Sequence, residues 1–342
     1  MKRIVRLKVI QLTSLLVFIG LSAVSSAQTS TDMPQAGVIL DAFEGSAPQN
    51  FNTFLDDVSA LPSSAGIDYV ALLERYRTQE PVEESERNAL YRLLGLYARI
   101  KYADDALQTL RELVAIPTFN PESIVQHENP EFHRFAIELQ SLAESFNLAF
   151  RNVGGRIYEV SLGEPKGELI GVHAHADVVP VNPELWVLED GTKLDPFVVT
   201  QIGNRLYGRG TQDDKNGIVV SMYAMRVVQD ENLPLLRHFK LLVDTREETG
   251  GDAMPYYFER NPIPDYNIAL DGSYPVIIAE KGYGTIMASF PFRAASGEGA
   301  QIVQLTGGLA TNQIPASASV WLTSTRADAL ISRINQEGAI FS

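Results

Sequence analysis

The chain of 342 residues has 45% hydrophobic and 20% charged residues, a net charge of −14 and no cysteine. This composition is typical of a folded globular protein of about two domains rather than of a disordered chain. The acidic balance argues against nucleic acid as a partner, because phosphate binding needs clustered Lys and Arg. The lack of cysteine excludes disulfides and cysteine-ligated zinc.

The first segment has the three parts of a secretory signal. Four basic residues between positions 2 and 8 precede an apolar run from Val9 to Val24, and small residues follow at positions 25–27. A retained membrane anchor is the alternative, but the run contains polar residues and is short for a span of about 20 apolar residues. We therefore expect residues 1–27 to be a signal peptide cleaved after Ala27. The protein would then be exported to the periplasm with no stable membrane anchor.

The patterns that follow predict helices first and then an alternation of strands and helices. Residues 28–66 have the composition of a linker with short structured pieces, and helical spacing then extends over 68–116 and again over 132–150. The remaining elements are strands near 156–162, 168–173, 239–243 and 266–270, a hairpin near 203–204, and helices after Asp214 and over 254–260. This order predicts an α/β fold with a mixed, mostly parallel sheet flanked by helices.

From about residue 284 the character of the chain changes again. Strands are expected at 285–290, 300–305 and 317–323, and a helix is expected at 326–334. These elements have the order of a second α/β unit that is only beginning.

Histidine and aspartate follow the strand near 168–173. Alternation places His173, His175 and Asp177 on one face of the strand, at the end that borders a ligand crevice in parallel sheets. An aspartate two residues after a metal-binding histidine can accept the other ring N–H and so fix the tautomer. The alternative is a histidine that is only hydrogen-bonded at a strand end.

A glycine-rich turn then carries two adjacent aspartates, Asp213 and Asp214. Two unpaired carboxylates at one turn repel each other, so a cation or strong donors are expected beside them. One of them could instead cap the following helix. A phosphate-binding loop is disfavoured, because the negative charge at the helix entrance would repel an anion.

Further carboxylates follow the next two strands. Glu247 and Glu248 come directly after one strand and precede two glycines, and Asp271 follows the next strand. An exposed surface pair and a turn-initiating aspartate are the alternatives. Two glutamates in one crevice would allow one to bind a metal and the other to move protons. Together, the carboxylates and the histidine predict a zinc site with up to two ions, with cobalt or manganese as alternatives.

Several motifs occur together in one order along the chain. They are HAHADVVP, GRGTQDDKNG, REETGG, the stretch DGSYPVIIAEKG from Asp271 and the segment LTGGLATNQIPASA from Leu305. This set resembles the co-catalytic zinc family of exopeptidases and deacylases that includes glutamate carboxypeptidases and aminoacylases. Within that family it is most similar to the dipeptidase V branch of Xaa-His-type dipeptidases.

The resemblance implies a role for each site residue. His175 would bind one zinc ion, and Asp213 would bridge the two ions. Glu248 would bind the second ion, and Asp271 would complete the shell of the first. Glu247 would be the general base and Asp177 would orient His175. Asn312, in the lid domain, would contact the substrate.

The same resemblance implies zinc-dependent hydrolysis of dipeptides by a metal-activated water with a glutamate general base. The domains would be the signal peptide, a linker with a helical N-terminal extension (28–104), an incomplete catalytic domain (105–290) and the beginning of a lid domain (291–342). The family supplies a last histidine ligand after the lid, and no histidine of this chain follows residue 238. We therefore expect an incomplete copy of the enzyme. The alternatives are an inactive metal-binding relative and a deacylase of small N-acyl amino acids; the oligomeric state stays open.

Overall fold

The computed structural model describes residues 3–9, 33–61, 69–121, 123–272, 277, 288–289, 300–308 and 318–338. Several predictions lie outside the described residues: the apolar part of the leader, the cleavage point after Ala27, most of the strand at 285–290, and Asn312.

Eight helices and ten strands are formed by the described residues. The helices are α1 (Met33–Ala42), α2 (Phe51–Ser59), α3 (Tyr69–Thr78), α4 (Glu84–Val114), α5 (Pro130–Ser145), α6 (Lys215–Asp230), α7 (Ala253–Phe258) and α8 (Ala327–Gly338). The strands are β1 (Arg3–Val9), β2 (Ala149–Val153), β3 (Ile157–Leu162), β4 (Leu169–His175), β5 (Thr200–Ile202), β6 (Arg205–Tyr207), β7 (His238–Asp244), β8 (Tyr266–Ala269), β9 (Gln301–Gly307) and β10 (Ala318–Ser324). Within these ranges no helix has both the length and the apolar character needed to cross a bilayer.

The chain divides into two compact units. The smaller unit contains an antiparallel sheet in the order β1-β10-β9, and α8 packs on β10. The strands predicted at 300–305 and 317–323 and the helix at 326–334 are therefore confirmed. In β1, residues 3–9 of the predicted leader pair with β10. Export stays a prediction, as do the domain boundaries.

The larger unit is built on a five-stranded sheet in the order β2-β3-β7-β4-β8. β4 is parallel to both β7 and β8, whereas β3 is antiparallel to both β2 and β7. Four of the five strands therefore run in one direction, and the predicted mixed, mostly parallel sheet is confirmed. β5 and β6 form a separate hairpin, also as predicted.

Helices cover both faces of this sheet, so β3 and β7 bury side chains on both sides. One face carries the main core, in which Val160 and Leu241 pack with buried side chains of α4, α5 and α6. On the other face, Ile157 and Leu242 form a small cluster with Tyr257 of α7. Strands buried on both faces are expected where helices cover both sides of a sheet.

The N-terminal helices pack into the same core. Asn50 caps α2 by accepting a hydrogen bond from the Thr53 amide at 2.9 Å, a favourable arrangement for an orphan helix N–H. The first amide of α2, that of Phe51, donates to the Glu231 carboxylate at 2.9 Å. Glu231 follows α6 directly, so this bond joins the N-terminal helices to the end of α6.

Two helix predictions were too long. Helical spacing over 68–116 is divided between α3 and α4, because Gln79 adopts a positive φ of 57° between them. The helix predicted over 132–150 ends at Ser145, because Asn147 has a φ of 54°, and β2 then begins at Ala149. A positive φ is incompatible with a right-handed helix.

Candidate metal centre

The parallel strands bring three of the predicted ligand positions to one edge of the sheet. His175 is the last residue of β4, Glu247 and Glu248 follow β7, and Asp271 follows β8. These strands are neighbours and run in the same direction, so their carboxyl ends meet. Asp213 does not lie at the end of a strand of the central sheet. It lies in the turn between the hairpin strand β6 and α6.

The imidazole of His175 is buried, and its Nε2 has no hydrogen-bond partner among the residues that the structure describes. Nδ1 lies 2.8 Å from the main-chain carbonyl oxygen of Asp177. Because a carbonyl can only accept, this contact assigns the proton to Nδ1 and leaves a lone pair on Nε2. Nε2 lies 2.8 Å from Oδ1 of Asp213, yet the alignment of the two groups is not that of a hydrogen bond. A buried lone pair facing a carboxylate requires a cation or a proton between them.

The charges around His175 show the same need for a cation. Burial opposes protonation of the imidazole, but the carboxylates of Asp177, Asp213 and Asp271 outweigh it and raise the pKa of His175 well above its ordinary value. Proximity to His175 in turn lowers the pKa of Asp213, although burial opposes this. Asp271 is the third carboxylate, with Oδ2 3.6 Å from Nε2. A metal ion would supply the positive charge that a proton on Nε2 otherwise provides.

Among the described residues, two groups of side chains have their ligand atoms within 4.8 Å of one another. One group is His175, Asp213 and Glu248; the other is His175, Glu247 and Asp271. One imidazole with several carboxylates is a donor set that zinc accepts. The orphaned Nε2 and this donor set fit a metal. The structure thus brings together all the predicted ligands, and it also places Glu247, the predicted base, within ligand distance.

Asp177 holds the loop that carries the two glutamates. Its carboxylate is fully buried and accepts hydrogen bonds from the backbone amides of Glu247 at 3.1 Å and of Glu248 at 3.0 Å. Its Oδ1 lies 3.5 Å from Nδ1 of His175, farther than its main-chain oxygen. Asp177 therefore contacts His175 chiefly through the main chain, while its carboxylate positions Glu247 and Glu248.

The environment of Glu247 favours its protonated form. Burial is the largest cause, and the carboxylates of Asp271, Asp177 and Asp213 add to it, so the pKa of Glu247 is raised even though His175 opposes the shift. A carboxylate with a raised pKa is a stronger proton acceptor than one in water.

His173 lies apart from this cluster although it shares the strand face predicted for His175. Its Nε2 is 2.6 Å from Oδ1 of Asn267, a residue of β8. His173 belongs to neither of the two ligand groups of the described residues.

Sequence reasoning left the role of Asp214 open, and the structure identifies it as the N-cap of α6. Its buried carboxylate accepts from the amides of Gly217 at 3.2 Å and of His175 at 3.3 Å. Burial raises the pKa of Asp214 to about 7. The capping alternative is therefore confirmed for the second aspartate of the pair, and its neighbour Asp213 is free to face His175.

Sequence reasoning assigned no role to three other residues around the site. Lys215 is buried, and its Nζ donates to the carbonyls of Leu113 at 3.0 Å and of Ile116 at 2.6 Å, which ties the end of α4 to the aspartate turn. Asp244, the last residue of β7, accepts from the Arg246 amide at 2.6 Å. The third residue is Arg209. Arg209 and Lys215 belong to the motif GRGTQDDKNG, and Asp244 lies two residues before REETGG.

Comparison with known proteins relates this site to a peptidase family. Residues 171–303 match the sequence signature of peptidase family M20/M25/M40. The chain is 28% identical over 237 residues to the protein of Bacillus subtilis strain 168 that bears the name "Putative dipeptidase YtjP"; the match covers 68% of this chain and 50% of that protein. It is 29% identical over 168 residues to the Beta-Ala-Xaa dipeptidase of Lactobacillus delbrueckii subsp. lactis, covering 48% of this chain and 33% of that enzyme.

Among solved structures, human carnosine dipeptidase 1 is similar with a TM-score of 0.45 and 22% identity, covering 53% of this chain and 41% of that protein. The chain thus spans half or less of the length of the relatives named here. The comparisons relate residues 171–303, which include every predicted ligand, to peptidase family M20/M25/M40, with dipeptidases among the relatives.

Proposed function

We propose that this chain carries the metal-binding part of a zinc-dependent dipeptidase. The observation that carries the proposal is the buried Nε2 of His175, which has no hydrogen-bond partner and faces the carboxylates of Asp213 and Asp271. The M20/M25/M40 signature and the dipeptidases among the relatives support peptide hydrolysis. His175, Asp213, Glu248 and Asp271 would hold the metal.

Zinc, when bound, would polarise the scissile carbonyl and make water a nucleophile near neutral pH. The other steps belong to side chains of this chain. Glu247, whose carboxylate lies within 4.8 Å of ligand atoms of His175 and Asp271, accepts the proton of the attacking water and then donates that proton to the leaving amine. The buried Asp177 carboxylate keeps Glu247 and Glu248 in place through their backbone amides.

Metal removal is the first test of this function. Hydrolysis of a panel of dipeptides should be lost on dialysis against a chelator and return with zinc. If only N-acyl amino acids are cleaved, the deacylase alternative is correct. If zinc binds with an affinity typical of a protein site but neither substrate class is cleaved, the inactive relative is favoured.

Glu247→Gln tests whether Glu247 is a general base or a metal ligand, since the geometry allows both roles. A general base should lose turnover by orders of magnitude while the zinc content, measured by atomic absorption, stays at the wild-type value. A metal ligand should lose zinc as well. Glu259→Gln is a suitable control, because Glu259 is exposed and pairs with Arg260 away from the site.

We further propose that the protein is exported and that residues 1–27 are removed. The basic residues and the apolar run before Ala27 support this. The intact mass of the protein purified from its native source, in a periplasmic fraction, should correspond to a chain beginning at Gln28. A mass that includes Met1 would contradict the proposal.

A further inference from the structure

The loop between β7 and α7 that carries Glu247 and Glu248 has little burial to hold its shape. Glu247, Gly250 and Gly251 are exposed, so hydrophobic packing cannot fix this segment. Two successive glycines also give the backbone more conformational freedom than any other pair of residues would. Asp177 accepts the amides of the two glutamates from one side of the loop. The glycine side of the loop needs a restraint of its own.

Arg246 closes this loop through its main chain and its side chain. Its carbonyl accepts the amides of Gly250 at 3.0 Å and of Gly251 at 2.8 Å. Its own amide donates to the Asp244 carboxylate at 2.6 Å. Its Nη1 lies 3.2 and 3.3 Å from the two carboxylate oxygens of Asp252. The two glutamates therefore lie within a ring of chain whose ends are joined by an ion pair.

Two neighbours of Arg246 show that the loop is built around its side chain. A Cβ at Gly250 would lie 2.6 Å from Nε and 2.7 Å from Cζ of Arg246, so glycine leaves the room that the guanidinium occupies. Asp252 is the N-cap residue of α7, yet its side chain makes no capping hydrogen bond. Aspartate is among the best capping residues. Its carboxylate is used for the pair with Arg246 instead.

We propose that Arg246 is a positioning residue for Glu247 and Glu248, an inference that rests on the proposed function. The side chain of Arg246 is 32% exposed and that of Asp252 is 55% exposed, and ion pairs this exposed contribute little to global stability. The effect of the pair is therefore on the loop: it selects one arrangement of the two carboxylates from those that the glycines allow.

The charge of Arg246 and its positioning role predict opposite effects on zinc binding. A guanidinium beside the loop repels a metal cation, so its charge alone would make zinc bind more tightly to Arg246→Met than to the wild type. If Arg246 holds the glutamates in place, the same substitution weakens zinc binding, as substitutions of residues that orient ligands do. The direction of the change decides between the two.

The test measures zinc affinity of the folded protein by chelator competition and stability of the metal-free protein by urea unfolding. Arg246→Met should lower zinc affinity about 10-fold with little change in the urea midpoint. Arg246→Lys keeps the charge but not the planar group, so it should recover part of the loss.

Gly250→Ala reaches the same contact without changing any charge. The φ of Gly250 is not positive, so alanine suits the backbone there, and its Cβ would displace the guanidinium. We expect a similar loss of zinc affinity, and no further loss when Gly250→Ala is added to Arg246→Met, because both remove one interaction. Arg237→Met is the control: Arg237 pairs with Glu168 at 2.7 Å, and both residues precede strands whose opposite ends carry the ligands. It should leave zinc affinity unchanged.

Each other outcome overturns the inference in a recognisable way. Tighter zinc binding in Arg246→Met would show that only its charge acts. A lower urea midpoint with unchanged zinc affinity would make Arg246 a structural residue. Additive losses in the double variant would show that Gly250 does not act through the guanidinium. Wild-type zinc affinity in both single variants would refute the inference and leave the proposed function intact, whereas a wild-type protein that does not bind zinc would refute both.

Discussion

Replacing Asp177 by asparagine tests the claim that one buried carboxylate holds the glutamate loop. The wild-type carboxylate accepts two backbone amides, those of Glu247 at 3.1 Å and Glu248 at 3.0 Å. Asparagine has nearly the same shape, but only one of its two terminal atoms can accept. Its NH₂ group would therefore face a buried N–H, donor against donor.

The cost follows from these two bonds. A hydrogen bond to a charged group contributes about 1.5–3 kcal/mol, and a buried donor left without an acceptor costs about 1–3 kcal/mol. Asparagine keeps one bond, in neutral form, so we expect the free energy of unfolding of the metal-free protein to fall by about 2–4 kcal/mol. Zinc affinity should fall about 10-fold, at the low end for residues that orient ligands. The reason is that the main-chain carbonyl of Asp177, which receives Nδ1 of His175, is unchanged.

Urea unfolding followed by circular dichroism measures the first quantity, and competition with a coloured chelator measures the second. Asp190→Asn is the matched control, because Asp190 also accepts a backbone amide, that of Thr192 at 2.9 Å, but is fully exposed. We expect the control to unfold at the same urea concentration as the wild type, because substitutions at exposed positions have little effect on stability. Wild-type stability and wild-type zinc affinity in Asp177→Asn would refute the reasoning.

Three further predictions, made with four substitutions, concern other features of the larger unit. His175→Ala should abolish tight zinc binding in a chelator competition, whereas His173→Ala should leave it intact, because His173 lies in neither ligand group; equal losses would contradict the assignment. Burial lowers the pKa of Lys215 to about 7, so the folded protein holds a neutral amine above that pH while the unfolded chain stays protonated to about pH 10. As the pH rises from 7 to 10, the free energy of unfolding of the wild type should therefore increase relative to that of Lys215→Met, by up to about 1.4 kcal/mol per pH unit. A difference between the two proteins that does not change with pH in urea unfolding would disprove this. Ser221→Ala should raise the free energy of unfolding by about 1 kcal/mol, because the buried hydroxyl has no partner and lines an apolar cavity of about 300 Å³; a loss of stability would show that the hydroxyl is satisfied.

Most of the fold could be predicted from the sequence, because a helix with one buried face shows its period and a strand buried on both faces, such as β7, shows a short apolar run. The strand β7 lies within one residue of its predicted bounds, and the helix α6 begins directly after Asp214 as predicted. The breaks at Gln79 and Asn147 do not show in the hydrophobic spacing, although Pro81, two residues after Gln79, is a sequence signal for the first of them. A helix end there depends on the backbone angle of a single residue, which leaves the surrounding hydrophobic spacing unchanged.

The same distinction applies to the candidate site: residues at strand ends could be predicted, and residues defined by long-range contacts could not. His175, Glu248 and Asp271 could be expected together because each follows a strand of one parallel sheet, so local position already implied proximity. Arg209 was missed because what distinguishes it is the position of its guanidinium over the Trp186 ring, with Cζ 5.2 Å from the ring centroid, a contact between residues 23 positions apart in sequence. Lys215 was missed for a similar reason, since its partners are carbonyls at the end of α4. The charge of a residue and its spacing from its neighbours in the sequence do not reveal such contacts.

The order of strands in the sheet has a consequence for folding. β4 joins β7 and β8 in register, pairing Ile170 with Phe239 on one side and with Tyr266 on the other, so the ligands meet only after long loops have closed. Closing long loops is a slow, entropically costly step, whereas helices form locally and early. A chain with all its helices but without these pairings would have its imidazole and carboxylates scattered. The amount of zinc retained would therefore report the fraction of molecules in which β4, β7 and β8 have paired, a quantity that helix content does not reveal.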